Sequence, residues 1–213
     1  MSVSGVLVDV QRRLESLYAL EPEAPVTDFL LSEQDASGYP GGGSRTLISR
    51  DGDSVALGVV LEPGVGARLD EQDPRERLDR RNLDSFCTAT EEVSHFVYLL
   101  FCARTARTVT HLELELQAEV DKFVCCFLLL SRATERIPVS LRRRLYGDVA
   151  YADDLDADER ERYRTANQQA SRYTAALEHQ FVAREQTIAL LTEVRRFYRM
   201  DLPAKLGRIA QLG

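Results

Sequence analysis

Two apolar stretches carry charges that helical cores rarely tolerate. Residues Glu91–His95, in TEEVSHFVYLLFCA, and Glu113–Lys122, in HLELELQAEVDKFVCCFLLL, put carboxylates, a histidine and a lysine among leucines, valines and phenylalanines. Ionised side chains leave water only when paired or ligated. A packed acid–histidine cluster is therefore either a satisfied polar network or a reactive site.

Spacing decides which of these groups can meet. Glu92 and His95 are three apart, so a helix projects both from one face. If the two stretches are helices running antiparallel about a turn centred near Thr108, His95 lies thirteen positions before the centre and Asp121 thirteen after it. They then stand at the same height, with Glu92 and Glu119 within about one helical turn of that level. Glu119 shares the stripe of Leu112, Leu116, Phe123 and Phe127, in a slot that an amphipathic helix gives to an apolar side chain. Glu92, His95 and Glu119 are thus expected to converge, with Asp121 and Lys122 as a supporting polar cluster. Two carboxylates and an imidazole suit a divalent metal such as iron or zinc, or a tuned Glu–His pair for acid–base work. A Glu–His–Lys network that merely fixes helix register is the plainer alternative. Glu91, about 100° round the helix from Glu92, is expected to point away.

Glu92-Val93-Ser94-His95 is similar to the Glu-x-x-His motif of ferritin-like di-iron proteins, which use two such motifs and two single glutamates. Glu119 would stand for a single glutamate. No second motif follows, because Glu178 and His179 are adjacent and His111 opens a helix. The resemblance covers four residues and implies no complete di-iron centre.

The elements that must position these groups are mostly helical. Val3, Val6, Leu7, Val10, Leu14, Leu17 and Tyr18 recur at helical spacing, and the prolines of EPEAP stop that helix. A short helix over Thr27–Leu31 and a turn-rich loop, SEQDASGYPGGGS, follow. Arg45–Ser49 and Ser54–Leu61 flank Asp51-Gly52, which suits a type I′ hairpin turn. Asp73-Pro74-Arg75-Glu76 reads as a helix start leading to about Ala106 with a break near Asn82, and Thr110 with Glu113 as a capping box opening the next helix. After a short helix at Leu141–Tyr146, Asp156 and Glu159 pair as another N-terminal cap. Tyr163, Ala166, Ala170, Tyr173, Leu177, Phe181, Ile188, Leu191 and Tyr198 then trace one stripe, which Pro203 ends. The expected fold is mainly α (α+β): an antiparallel helical hairpin plus one long C-terminal helix in a bundle, with an N-terminal helix and a small β-hairpin. Its expected parts are residues 1–62, a bundle over 73–200 and a tail over 201–213.

Composition narrows the function classes. A net charge of −7 on 213 residues gives no global footprint for nucleic acid. The longest apolar run, Phe123–Leu130, is too short to span a bilayer, and the N-terminus lacks the pattern of a secretory signal. Cys87, Cys102, Cys125 and Cys126 form no C-x-x-C pair and read as buried, reduced thiols of a cytoplasmic protein. Gly41-Gly42-Gly43 lacks the lysine of a phosphate loop, and Arg142–Arg144 with Arg195, Arg196, Arg199, Lys205 and Arg208 read as solvated helix faces.

Two functions are expected from this. The first is an interaction or assembly protein. A forty-residue helix is about 60 Å long and overhangs a hairpin of about 37 Å, so Ile188, Leu191 and Tyr198 should meet a protein partner, a second copy or the N-terminal unit. The alternative is a metal-dependent or acid–base enzyme using Glu92, His95 and Glu119.

Overall fold

Helix α1 (Val3–Tyr18) forms where the apolar spacing places it, burying Val6, Leu7, Val10, Leu14, Leu17 and Tyr18. The computed structural model describes residues 2–39, 41–51, 54–133, 141–147, 155–184 and 186–212. The chain leaves α1 through Ala19, held left-handed at φ 49°, so that the amides of Ala19 and Leu20 reach back to the last turn. In place of the short helix expected over Thr27–Leu31 stands a 3₁₀ turn, Val26–Phe29, and then a two-residue strand, β1 (Leu30–Leu31).

Strands β2 (Arg45–Asp51) and β3 (Ser54–Val60) pair antiparallel, with Thr46 opposite Val59 and Leu47 opposite Gly58. The Asp51-Gly52 turn falls outside the described residues. β1 adds in parallel to β3, giving the order β1-β3-β2. A Cβ at Gly58 would stand 2.4 Å from a terminal methyl of Leu31, so any larger residue there would make that side chain shift.

α2 (Pro63–Glu71) begins on its proline, where a missing amide is harmless. The helix expected from Asp73 does not start until Leu83. Asp73 instead accepts hydrogen bonds from the backbone amide and guanidinium of Arg75, closing a local turn. Asn82 donates to the carbonyls of Gln72 and Arg77 and accepts from the Asp79 amide, so the segment folds around its side chain. α3 (Leu83–Arg104) and α4 (His111–Ala133) then form the antiparallel hairpin. Only half of the expected capping box is used. Thr110 accepts from the Glu113 amide, whereas the Glu113 carboxylate turns into the core toward Tyr98.

α5 (Leu141–Tyr146) is short, and α6 (Ala157–Gln180) starts on the complete Asp156–Glu159 capping box. α6 packs along α4, and α3, α4 and α6 make the bundle that defines the mainly α (α+β) architecture. The forty-residue stripe, however, is divided. α6 ends at Gln180 with Phe181 as its C-cap, a 3₁₀ turn follows at Val182–Arg184, and α7 (Thr187–Tyr198) folds back. No glycine or proline causes the break. A straight helix would carry Val194, Phe197 and Tyr198 beyond the core, whereas folding back buries all three. Tyr173 stacks on Phe197 and Tyr18 on Tyr198, each with ring centroids 3.9 Å apart, so α7 closes on both α6 and α1. Pro203 does not end the ordered chain. It lies in the first turn of α8 (Leu202–Leu212), which occupies the region expected as a tail. Asp201 caps α8 by accepting from the Ala204 amide.

Among the described residues, no helix is long and apolar enough to cross a membrane. The four thiols are free, three of them buried.

Candidate functional site

The α3–α4 hairpin carries two polar layers, one on each side. The first faces the sheet and the start of α6. His95, on α3, turns Nε2 toward Glu115 on α4 at 3.5 Å and Nδ1 toward Glu92 at 3.9 Å. Thr46 of β2 donates its hydroxyl to Glu92 at 2.8 Å, so the sheet orients that carboxylate. Glu91, expected to point away, lies within the cluster. One carboxylate oxygen each from Glu91 and Glu115 and one ring nitrogen of His95 all lie within 4.8 Å of one another. Lys122 bridges the next turn, 2.9 Å from Glu91 and 2.8 Å from Glu119.

The electrostatics follow from burial against opposing charge. Burial disfavours the His95 cation, but Glu115, Glu92 and Glu91 outweigh it and raise the imidazole to about 9. Burial pushes Glu92 up to about 7, partly opposed by His95. Burial likewise lifts Glu119, whereas Lys122 and His95 overcome it at Glu91 and hold that acid low. Lys122 itself is desolvated, yet Glu91 and Glu119 keep it well above the ordinary lysine range. Tyr163, at the start of α6, is pushed up by burial and by the charges of Glu115, Glu91 and Glu92, which places the phenol at the edge of the cluster.

Polar satisfaction in this layer is incomplete. The Glu115 side chain is 9 % exposed, and its one polar contact among the described residues is the imidazole at 3.5 Å, the limit of hydrogen-bond reach. Among the described residues, Nε2 of His95 and Oε2 of Glu119 are buried without a hydrogen-bond partner.

The second layer faces α1, α7 and α8. Lys205 of α8 is 0 % exposed, donating from Nζ to the Tyr98 hydroxyl at 2.9 Å and to Gln117 Oε1 at 2.6 Å. Burial brings its amine down to about 7, against the pull of Glu113 and Asp121. Asp121 accepts from Tyr18, from Ser94 at 2.6 Å and from Gln117 at 2.9 Å, and burial raises it to about 6. Glu113 accepts from Tyr98 at 2.7 Å and from Arg107.

The sequence-derived candidates therefore divide between the layers. Glu92 and His95 meet as spaced, and Glu119 and Lys122 lie one turn along the same face. Asp121 instead faces the Lys205 layer, contacting Ser94 rather than His95. Glu115 was not singled out, although Glu115, Glu119 and Lys122 stand at i, i+4 and i+7, the helical signal for one face. Lys205, grouped with exposed basic residues, is buried. Of the interface candidates, Tyr198 is in the core, Leu191 is half-buried and Ile188 is 83 % exposed. No protein-family model, curated protein or solved structure matches this chain.

Proposed function

We propose that the His95 layer binds a divalent cation and supports metal-assisted acid–base chemistry. Glu91, Glu115 and Nε2 of His95 would be the protein ligands. One observation carries this: an oxygen of Glu91, an oxygen of Glu115 and a ring nitrogen of His95 lie within 4.8 Å of one another, and Nε2 of His95 is buried with no hydrogen-bond partner among the described residues. Gathering desolvated acids around one imidazole is unfavourable, and a bound cation offsets that cost. Carboxylate oxygens with one imidazole suit iron, manganese or zinc. Such an ion would supply Lewis acidity toward an oxygen of a substrate or water.

The chain's own residues have distinct parts in this proposal. Glu92 lies on the Nδ1 side of the imidazole, held by Thr46, the place of an outer carboxylate that fixes ring orientation. With its carboxyl raised to about 7, Glu92 can also take up or release a proton near neutrality. Glu91 has two oxygens, so one can stay with Lys122 while the other turns to the ion. A reducing, cytoplasmic setting accords with the four free thiols. Titration calorimetry of the chelator-treated protein with Mn²⁺, Fe²⁺ and Zn²⁺ tests the proposal. Saturable binding lost in His95→Ala and Glu115→Gln is expected. Absence of binding in the native protein would sink it.

An assembly role is supported by a different observation. Ile188 on α7 is 83 % exposed, and Ile48 and Val55 on the sheet stand 41 % and 55 % exposed. Tyr198, by contrast, is consumed within the fold, and the overhanging helix that motivated a partner is absent. Sedimentation across a concentration series tests this reading, with a dimer disrupted by Ile188→Glu as its expected outcome.

A further inference from the structure

We infer that Lys122 is an internal counter-cation standing where a second metal ion would otherwise sit, so that this site takes one divalent ion and not a pair. The inference rests on the cation-binding proposal above. Carboxylate sites that hold two ions place them about 3.5–4 Å apart, with acidic side chains reaching both. Here Glu91 on α3 and Glu119 on α4 face each other across one point, and that point holds the Lys122 ammonium, 2.9 Å from one carboxylate and 2.8 Å from the other. The side chain of Lys122 is 13 % exposed, so the ammonium is fixed among the acids and does not trail into solvent. Glu119 still has spare capacity, since its Oε2 is buried with no hydrogen-bond partner among the described residues.

Charge points the same way. The layer holds the four carboxylates Glu91, Glu92, Glu115 and Glu119 with Lys122 and His95. With all four acids ionised, one divalent ion on a neutral imidazole, together with the ammonium, leaves a single net negative charge. Two divalent ions beside the ammonium would leave a net positive charge and press three cations close together in a poorly solvated space, where their mutual repulsion is unfavourable. Two ions without the ammonium would balance them. Lys122 thus sets the stoichiometry, and with it the chemistry, because electron-pair chemistry shared between two metals is closed to a one-ion site.

The test is the number of ions bound per chain, measured by equilibrium dialysis against Mn²⁺ with metal quantification on the 213-residue chain. The native protein should hold one ion, Lys122→Met two, and Lys122→Met/Glu119→Gln one again. Electron paramagnetic resonance of the native protein at saturating Mn²⁺ should show an uncoupled six-line signal. That measurement decides the matter even where Lys122→Met does not fold. A spin-coupled pair in the native protein, or one ion in a Lys122→Met variant whose circular dichroism is native, overturns the role of Lys122 while leaving the cation site standing. No ion in the native protein removes the cation site and this inference together.

Discussion

The two faces of the α3–α4 hairpin treat buried charge in opposite ways. On the Lys205 side the acids and the amine are bonded: Asp121 to three donors, Glu113 to Tyr98 and Arg107, Lys205 to Tyr98 and Gln117. What is left over there among the described residues is Nε of Arg107 and the Tyr198 hydroxyl, neither of them an acid. On the His95 side Glu115 relies on an imidazole at 3.5 Å, and among the described residues Oε2 of Glu119 and Nε2 of His95 have no hydrogen-bond partner. Both layers lie on the same pair of helices, so secondary structure does not distinguish them. The satisfaction of their acids does. A closed network spends its charges on holding elements together, and an open one keeps capacity for something that binds.

The contrast can be broken most severely from the closed side. Asp121→Ala removes one partner from a desolvated network, and denaturant unfolding should show a loss of about 3–5 kcal/mol. Next comes a pH effect. The folded-state pKa of Lys205, about 7, lies below its ordinary 10.5, so the protonated amine is disfavoured by folding. Its contribution is present above pH 10.5, shrinks as pH falls, and is lost on passing below about 7. Stability from this residue therefore rises between those limits, by a few kcal/mol at order of magnitude. Lys205→Met should flatten that rise in a pH series of unfolding curves. Asp121 does not confuse the measurement, since it is raised only to about 6 and its favourable contribution is already gone above that pH.

From the open side the effects are smaller and of another kind. Glu92→Gln should weaken cation affinity by roughly 10–100-fold without abolishing it, as an orienting partner and not a ligand. In the metal-free protein Glu115→Gln should bring the His95 imidazole down from about 9, because Glu115 is foremost among the acids that raise it, and an NMR titration of the ring reads the change. An unmoved imidazole would detach Glu115 from the His95 layer and erase the distinction. The smallest effect is expected at the turn joining the two helices. Ala106 is held left-handed at φ 49°, and Ala106→Gly should add up to about 1 kcal/mol by relieving that strain while leaving cation affinity unchanged.

Much of this was legible in the residues. The spacing of Glu92 and His95, the apolar stripe of α1, the hairpin strands and the Asp156–Glu159 cap all act locally, and local signals survive folding. Helix phase did not survive. α4 is buried nearly all round, from Glu113 through Ala118, so the stripe of Leu112, Leu116, Phe123 and Phe127 could not say which side meets His95. Height was therefore read well and direction badly. Asp121 was aligned with His95 in level but faces α1, and Glu115 took its place. The break after Phe181 has no local mark either, because what sets it is the tertiary gain of burying Phe197 and Tyr198. Lys205 looked like one more surface cation because nothing in its neighbours announces a core position.

The insertion of Lys205 also orders the making of the molecule. Asp121 is synthesised long before α8, yet its environment is completed by an amine that reaches it through Gln117. Until α8 is added, the hairpin and α1 hold this acid without that amine, so it stays hydrated or takes up a proton from solvent. Arrival of α8 ends that interim, and a segment made well after the hairpin seals the centre of the protein and not its rim.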